Sequence, residues 1–309
     1  MQRKDDRPLT PRFILRLANP NSWPASVCPA LFAEVWCLLS GLALSAIQNI
    51  AFVIVCVLMQ SSVNTLNDYM DYVKGADTRE DNVAVEDAVL VYENVNPMSV
   101  LLLGVGFLAA AALIGIAASI SAGFLPLIIG IIGGLVVVFY SCGPTPISYL
   151  PAGEMVSGFV MGGLIPLGIA AASDNRLHPA ILLWSLPFII GIALIMMSNN
   201  GSDIEKDERS GRKTLPVMLG RGRTLKLYRV LVIIWMALIT VFPIILVGKW
   251  GIVSPVFWII TAGGLFRFLL TDDLDPGNRI KRMKTIAAAN LLGNEAYILA
   301  IAVYLAFAA

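Results

Sequence analysis

Long apolar runs constrain this chain more than any other feature of its sequence. They recur from residue 22 to residue 309, and each is about 20 residues long, enough for a helix to cross a bilayer core of roughly 30 Å. Apolar residues make up 57% of the chain and charged residues 14%, against about 25% charged residues in a soluble domain. This composition excludes a soluble enzyme, a secreted disulfide scaffold, a disordered chain and a nucleic-acid binder. It predicts an all-α polytopic membrane protein.

The apolar runs divide into about nine predicted transmembrane helices. Before them, residues 1–20 combine apolar and cationic side chains, such as Phe13 beside Arg12, which predicts a segment at the membrane interface. Residues 21–309 are expected to form a single intramembrane domain. The first two helices are the hardest to separate, because only residues 45–49 interrupt the run. The predicted helices cover residues 24–46, 48–66, 98–119, 122–141, 153–172, 179–199, 225–247, 250–270 and 286–308.

The positions of the positive charges predict the orientation in the membrane. If the N-terminus is cytoplasmic, 20 of the 22 Lys and Arg residues fall in cytoplasmic segments, and only Arg176 and Lys249 fall outside. Cytoplasmic loops carry an excess of Lys and Arg, so this bias predicts a cytoplasmic N-terminus. The longest cytoplasmic loops then lie near residues 67–97 and 200–224, and both contain several Asp residues. We therefore expect the functional site at the cytoplasmic face.

Polar residues close the second predicted helix at regular intervals. Asn64, Asn67, Asp68 and Asp71 are spaced i, i+3, i+4 and i+7, and Asp77 follows beyond them. If the helix continues to this point, the first four share one face, since residues three and four apart are neighbours on a helix.

A second polar group closes the sixth predicted helix, where Asn200, Asp203 and Asp207 also follow a helical spacing. Both groups lie at cytoplasmic helix ends, so both can open into one cavity. Carboxylate and amide oxygens suit Mg²⁺, which is usually completed by substrate phosphates. With cations near both groups, we expect a metal-bridged lipid diphosphate whose tail lies between the helices. Those cations are Lys74, Arg79, Lys206, Arg212 and Lys213.

The acidic groups also allow a protein of another class, a cation-coupled secondary transporter. The coupling ions of such transporters are expected near the bilayer midplane, at broken helices. The two groups in this chain are predicted at the membrane rim instead. An enzyme is therefore the favoured interpretation, and the transporter is its alternative.

Two segments of the sequence resemble the motifs of a known family. Residues 67–77, with their Lys-Gly-x-Asp ending, resemble the first Asp-rich motif of the UbiA-type intramembrane aromatic prenyltransferases. Residues 203–207, with residues 211–220 behind them, resemble the second motif. Within the superfamily, the Lys-Gly-x-Asp ending and residues 140–144 are most similar to the 1,4-dihydroxy-2-naphthoate polyprenyltransferases of menaquinone biosynthesis. Ser202 departs from this pattern, since many naphthoate enzymes carry Arg there.

The resemblance implies a barrel of nine helices around a lateral, lipid-accessible cavity, in the cytoplasmic membrane of a bacterium. It implies Mg²⁺-dependent transfer of a polyprenyl group from a polyprenyl diphosphate to an aromatic acceptor, with dihydroxynaphthoate as the expected acceptor. Hydroxybenzoate or another lipid-soluble acceptor is the alternative within the same chemistry. The expected partners are thus the diphosphate, the acceptor and membrane lipids, with no nucleic acid.

Carried over onto this sequence, the resemblance implies three overlapping groups of site residues. The expected metal ligands are Asn67, Asp71, Asp203 and Asp207. The expected catalytic residues are Asp68, Asp71, Asp77, Asp203, Asp207 and Tyr140. The expected substrate-binding residues are Asn64, Lys74, Glu154, Asn199, Asn200, Lys206 and Lys213.

Two pairs of glycines lie four residues apart inside predicted helices. They are Gly130 with Gly134, and Gly158 with Gly162. Small residues at this spacing allow membrane helices to approach closely. We expect both pairs to mark helix-packing surfaces.

Overall fold

The computed structural model describes residues 7–75 and 88–308. Apart from one isolated β-bridge between Arg7 and Val95, these residues form helices and their connections. The helices in chain order are α1 (Pro11–Ala18), α2 (Pro24–Leu39), α3 (Ala46–Lys74), α4 (Val89–Tyr92), α5 (Pro97–Ser119), α6 (Phe124–Ser141), α7 (Gly153–Asp174), α8 (Ala180–Trp184), α9 (Leu186–Ser202), α10 (Ile204–Arg209), α11 (Leu215–Leu219), α12 (Arg221–Val247), α13 (Val253–Thr271) and α14 (Arg279–Phe307).

The long helices have the length and hydropathy of membrane spans. Within the described residues, six helical stretches meet this requirement, and the bent pair Pro11–Ser22 and Pro24–Leu39 brings the number to seven if it is one span. The helix α9 is also apolar, although it contains only 17 residues. The expected all-α polytopic membrane protein is thereby confirmed.

One of those six stretches, Arg221–Thr271, contains 51 residues but folds as two antiparallel helices. A tight turn separates α12 from α13. The turn folds back so closely that a Cβ atom on Gly251 would lie 2.3 Å from the backbone nitrogen of Ile244. Beyond it, the Ser254 hydroxyl donates to the Ile239 carbonyl at 2.6 Å. This single apolar stretch therefore supplies two packed helices.

The long helices form a closed ring. Helices α2, α3, α5, α6, α7, α9, α12, α13 and α14 contact one another in chain order, and α14 returns to contact α2. Part of the closure is aromatic, because Phe32, Phe188 and Tyr297 bring together α2, α9 and α14 with ring centroids 4.7 to 5.8 Å apart. Such aromatic contacts stabilise packing beyond the burial of their area. The ring leaves a large cavity between its helices.

The first two long helices separate earlier in the chain than predicted. Helix α2 ends at Leu39, and the connection after it contains Gly41, whose φ of 71° suits glycine. The Ser45 hydroxyl then accepts from the Gln48 backbone N–H at 3.2 Å, and the Gln48 side chain accepts from the Ser45 backbone N–H at 3.0 Å. This capping box starts α3 at Ala46. The predicted first helix, residues 24–46, was therefore too long.

The two glycine pairs have different surroundings. A Cβ atom on Gly162 would lie 2.4 Å from the backbone nitrogen of Ile189, and one on Gly158 would lie 2.5 Å from its carbonyl oxygen. The prediction of close packing is confirmed for this pair, which faces α9. Gly130 and Gly134 line the cavity instead, and a Cβ atom on Gly130 would meet nothing within 4 Å. The prediction is wrong for this pair, because α6 turns it towards the cavity.

The amphipathic helix α1 packs against α3 and α4. Phe13 and Leu17 are buried with Val89 of α4. Arg16 donates to Glu93 at 2.7 Å, and this hydrogen bond lowers the pKa of Glu93. The described part of residues 1–20 thus lies against the helix that carries the first polar group. Its location at the membrane interface stays a prediction.

Candidate active site

The cavity inside the helical ring has a volume of about 1980 Å³. Its apolar walls come from α5, α6 and α7 and include Leu108, Ile129 and Leu164. Many of its polar groups come from helix ends, chiefly the last turns of α3 and α9 and the first turn of α14. We call this region the polar end. Its side chains include Asn64, Asn67, Asp68, Asp71, Tyr140, Asn199, Asn200, Asp203, Lys206, Arg212 and Arg279.

The first polar group shares one face of α3, as the sequence predicted. The helix continues to Lys74 and ends at Gly75, which adopts a left-handed conformation with a φ of 65°. The predicted face is therefore confirmed, and all of its members line the cavity. They are Asn64, Asn67, Asp68 and Asp71.

Asn67 and Asp71 form a pair on this face. The Asn67 amide donates to the Asp71 carboxylate at 2.9 Å. The Ser141 hydroxyl, at the end of α6, donates to the Asn67 amide oxygen at 2.8 Å. These two hydrogen bonds orient the oxygen atoms of both side chains at the polar end.

Asn64 and Asp68 contact neighbouring segments of the backbone. Asn64 donates to the Ala18 carbonyl at 3.0 Å and to the Ser22 hydroxyl at 2.7 Å. Asp68 accepts from the backbone N–H of Val89 at 3.1 Å. The two side chains therefore hold the N-terminal segment and the start of α4 against α3. Their roles in substrate binding and catalysis stay predictions.

The second polar group does not occupy an uninterrupted helical face. Helix α9 ends at Ser202, α10 begins at Ile204, and Asp203 between them has φ −105° and ψ 17°. The prediction of one shared face was wrong, because this break directs the side chains to different partners. Asn200 donates to the buried carboxylate of Glu154 at 2.8 Å, which joins α9 to α7.

Asn199 and Asp203 contact an arginine from the last long helix. Arg279 lies 3.1 Å from the Asp203 carboxylate and donates to the Asn199 amide oxygen at 2.7 Å. The same arginine lines the cavity. The sequence analysis missed this residue, because 76 positions separate it from Asp203 and no motif marks it. The sequence indicated Arg279 only as one of several cations before the last apolar run.

A glycine turn brings Asp207 close to the first polar group. After α10, Gly211 has a φ of 74°, and the backbone N–H of Arg212 bonds to the Asp207 carbonyl at 2.9 Å. This is the six-to-one hydrogen bond of a Schellman motif. The chain reverses there, so the Arg212 guanidinium donates to Asp71 and lies 3.7 Å from the Asp207 carboxylate. One side chain thus contacts acids of both polar groups.

Burial dominates the electrostatics of Asp207, which is only 2% exposed. The pKa of its carboxyl is raised to about 6, chiefly by burial; Arg212 opposes this shift, and the Asp203 carboxylate contributes to it. For Arg212 itself, burial lowers the pKa, but the carboxylates of Asp71 and Asp207 outweigh burial and raise it. Arg212 therefore stays charged, while an ionised Asp207 would be stabilised by a further cation.

The other predicted residues divide between the cavity and its surroundings. Tyr140 and Lys206 line the cavity. The Lys74 side chain donates to the carbonyl of Ser141, at the end of α6, at 3.2 Å. The Lys213 backbone N–H donates to the Tyr149 carbonyl, in the loop after α6, at 2.8 Å. Asp77 lies outside the described residues, so its predicted role has no structural description.

The acids at the polar end fit a metal ion only together with a further ligand. Among the described residues, no three or more His, Cys, Asp or Glu side chains are grouped closely enough to hold an ion. Asp71, Asp203 and Asp207 supply the hard oxygen ligands that Mg²⁺ prefers, but each one contacts an arginine. This donor set fits Mg²⁺ held by a few carboxylates and substrate phosphates, and does not fit a cage made of protein ligands alone.

Most of the chain matches a known protein family. Residues 26–292, which include both polar groups, match the UbiA prenyltransferase family. The chain belongs to that family. The resemblance noted in its two Asp-rich segments is thereby confirmed.

Two curated relatives are similar to about 70% of this UbiA-family protein. A 1,4-dihydroxy-2-naphthoate octaprenyltransferase of Bacillus subtilis is 30% identical over 209 residues, 68% of this chain and 66% of the relative. The UbiA prenyltransferase domain-containing protein 1 of Xenopus tropicalis is 28% identical over 221 residues, 71% of this chain and 63% of the relative. The chain thus spans slightly less than two thirds of the length of these relatives.

Solved structures of UbiA homologues share the fold. The homologue from Archaeoglobus fulgidus bound to GPP and Mg²⁺ superposes with a TM-score of 0.61 at 16% identity, over 93% of this chain and 99% of that one. The homologue from Aeropyrum pernix K1 superposes with a TM-score of 0.64 at 18% identity, over 90% and 97%. At such identities the likeness shows the architecture alone.

Proposed function

We propose that this UbiA-family protein transfers a polyprenyl group from a polyprenyl diphosphate to an aromatic acceptor, with Mg²⁺ as cofactor. The observation that carries the proposal is the meeting of two Asp-bearing segments at the polar end of one cavity, where Arg212 contacts both Asp71 and Asp207. A diphosphate at that end would lie between acids that hold metal, and the apolar walls would accept its prenyl tail.

The proposed acceptor is 1,4-dihydroxy-2-naphthoate, as in menaquinone biosynthesis. The name of the Bacillus subtilis relative supports this acceptor, together with the Lys-Gly-x-Asp ending of the first motif. The Archaeoglobus fulgidus homologue binds DMAPP or GPP with Mg²⁺, which supports the donor and the metal. Hydroxybenzoate or another lipid-soluble acceptor is the alternative within the same chemistry.

Asn67, Asp71, Asp203 and Asp207 would hold the metal. Bound Mg²⁺ would neutralise the diphosphate and make it a better leaving group. Arg212 and Arg279 contact three of these four residues. We infer that both guanidinium groups exchange carboxylate oxygens for diphosphate oxygens as the substrate binds, because arginine matches the geometry of phosphate.

The cavity itself would protect the reactive intermediate. When the C–O bond to the diphosphate breaks, its electrons leave with the diphosphate and the prenyl group becomes an allylic cation, which the electron-rich ring of the acceptor then attacks. The attacked ring carbon then loses its proton, or its carboxylate as carbon dioxide, and the ring regains its aromaticity. The apolar walls exclude water, which would otherwise trap the cation. Tyr140 lines the cavity and is proposed to stabilise the cation through its aromatic face.

We infer nine membrane crossings, with the N-terminus and the polar end on the cytoplasmic side. Among the described residues, nine helices of 16 residues or more form the closed ring in chain order, and the hairpin of α12 and α13 accounts for two of them. The bias of 20 in 22 Lys and Arg residues supports the orientation. The cytoplasmic membrane of a bacterium is the proposed location.

Mass spectrometry of the reaction products tests this function directly. The full chain in membranes is supplied with farnesyl diphosphate, Mg²⁺ and a panel of aromatic acceptors that includes dihydroxynaphthoate and hydroxybenzoate. A prenylated naphthoate and released diphosphate are expected, EDTA should stop both, and Mg²⁺ should restore them. A product with hydroxybenzoate alone would contradict only the acceptor. If no acceptor gives a prenylated product and no diphosphate is released, the proposed transferase activity is contradicted. The cation-coupled transporter would then be the remaining hypothesis.

A further inference from the structure

The loop between α6 and α7, residues 142–152, touches the two Asp-bearing segments at once. Its central side chain, Tyr149, is half-buried. The Lys74 ammonium, from the end of α3, lies 4.8 Å from the centroid of the Tyr149 ring. The Arg212 guanidinium, from the turn after α10, lies 4.7 Å from the same centroid. One aromatic ring therefore contacts a cation from each segment.

Both distances lie within the range of a cation–π interaction, which extends to about 6 Å from the ring centroid. Each interaction is worth more where water is partly excluded, and Arg212 has only 14% of its side chain exposed. Lys74 and Arg212 carry like charges and would repel each other without a group of negative potential near both. The Asp71 carboxylate supplies part of that potential beside Arg212, and the face of the Tyr149 ring adds to it near both cations.

Backbone contacts hold the Tyr149 ring in this position. The Tyr149 carbonyl accepts from the backbone N–H of Lys213, beside Arg212, at 2.8 Å. At the end of α6, directly before the loop, the Ser141 carbonyl accepts from Lys74 at 3.2 Å, and the Ser141 hydroxyl donates to Asn67. The loop is thus bonded to the second segment, and the helix end from which it starts is bonded to the first.

We propose that Tyr149 is a positioning residue that holds Lys74 and Arg212 together for the diphosphate of the substrate. This inference rests on the proposed function, since it assigns the two cations to the same diphosphate. When Arg212 leaves Asp71 for the substrate, the ring still keeps its guanidinium at the polar end. Tyr149 is not among the residues that line the cavity, so it would act on the substrate through these two cations.

The test compares two substitutions of Tyr149 in the full-length protein. Tyr149→Phe keeps the aromatic face, and Tyr149→Leu removes it while keeping an apolar side chain. Because Tyr149→Leu removes both cation–π interactions, its KM for farnesyl diphosphate should rise about tenfold, with a much smaller change in kcat at saturating substrate. The KM of Tyr149→Phe should stay within about twofold of wild type.

A matched control separates positioning from packing. Tyr304 is also half-buried, but it packs in an apolar cluster at the other end of α14 from Arg279. Tyr304→Leu should leave the KM for the diphosphate unchanged, and thermal unfolding in detergent reports whether each variant folds. A folded Tyr149→Leu protein with a wild-type KM would overturn the proposal, and so would a Tyr149→Phe protein as impaired as Tyr149→Leu.

A double substitution tests whether Tyr149 acts through Lys74, because substitutions of residues that interact do not have additive effects. Lys74→Met removes one of the two cations over the ring. Tyr149→Leu should then raise the KM by a smaller factor in the Lys74→Met protein than in wild type, and equal factors would contradict the proposal.

A direct measurement of farnesyl diphosphate binding in the presence of Mg²⁺ distinguishes failure of the proposed function from failure of the proposed role of Tyr149. If wild type fails to bind, the proposed function fails; if wild type and Tyr149→Leu bind equally well, only the role of Tyr149 fails.

Discussion

The Arg212 guanidinium donates to the Asp71 carboxylate across 141 positions of the chain. Its other terminal nitrogen lies 3.7 Å from Asp207. A single cation thus partly neutralises acids from both Asp-bearing segments. Because Mg²⁺ and this guanidinium would compete for the same oxygen atoms, Arg212 has to move if Asp71 and Asp207 bind metal.

Removal of Arg212 should therefore change two affinities in opposite directions. In Arg212→Met, Mg²⁺ alone should bind more tightly, because its competitor is gone. The KM for the prenyl diphosphate should rise about 10- to 100-fold, the effect of losing hydrogen bonds to a charged group. Calorimetry measures the first affinity and steady-state kinetics the second. Arg209→Met, at the exposed last residue of α10 just before the turn that contains Arg212, should change neither affinity. Weaker binding of Mg²⁺ alone to Arg212→Met would contradict the competition.

Asp68 and Asp71 should respond differently to the same substitution. Asp71→Asn removes a proposed metal ligand, so turnover should fall about a hundredfold or more. In Asp68→Asn the side-chain oxygen can still accept from the Val89 N–H, so most of the turnover should remain. Both rates are measured at saturating Mg²⁺ in membranes that contain equal amounts of protein. Equal losses would place Asp68 in the metal site as well.

The raised pKa of Asp207 predicts how stability depends on pH without metal. Because its pKa is about 6 in the folded protein, against 3.8 for an unperturbed aspartate, ionisation of Asp207 destabilises the fold above pH 6, and this penalty disappears below about pH 4. Asp207→Asn removes the penalty. The unfolding temperature in EDTA should therefore be higher than that of wild type at pH 7.5, and the difference should shrink at pH 4.5. An equal difference at both pH values would contradict the burial of an ionised Asp207.

The two glycine pairs predict opposite effects of an added methyl group. Gly162→Ala should lower the unfolding temperature by several degrees, because its Cβ would lie 2.4 Å from the Ile189 backbone and overpacking costs about 1–3 kcal/mol. Gly130→Ala is the matched control, since its Cβ would meet nothing within 4 Å. Its unfolding temperature should stay constant or rise slightly, as alanine favours helix. Thermal unfolding in detergent measures both variants, and equal losses would show that Gly130 also packs against another helix.

Cysteine labelling tests the proposed topology. In a background without Cys28, Cys37, Cys56 and Cys142, single cysteines are introduced at the exposed positions Ser210 and Arg176. An impermeant thiol reagent should label position 176 in intact cells, but label position 210 only after the membrane is opened. Labelling of both positions from one side would show that the number of crossings between them is wrong.

The sequence alone predicted the all-helical membrane architecture and the shared face of the first polar group. Runs of about 20 apolar residues can satisfy their backbone in a bilayer only as helices, so hydropathy predicts their number and approximate positions without knowledge of packing. The i, i+3, i+4 and i+7 spacing on α3 likewise predicted a shared face, because an uninterrupted helix repeats every 3.6 residues. Both expectations depend on local geometry, which a sequence carries directly.

Only the tertiary structure decided which partners these residues have. The break at Asp203 turned Asn200 towards Glu154 and Asp203 towards Arg279. Tyr149 came to lie beside Lys74 and Arg212, from a loop position that the motif at residues 140–144 does not include. Such contacts join side chains that are tens to hundreds of positions apart, and they depend on how the helices close into a ring. Periodicity reports which face of a helix a residue occupies, but not which helix or loop lies opposite that face.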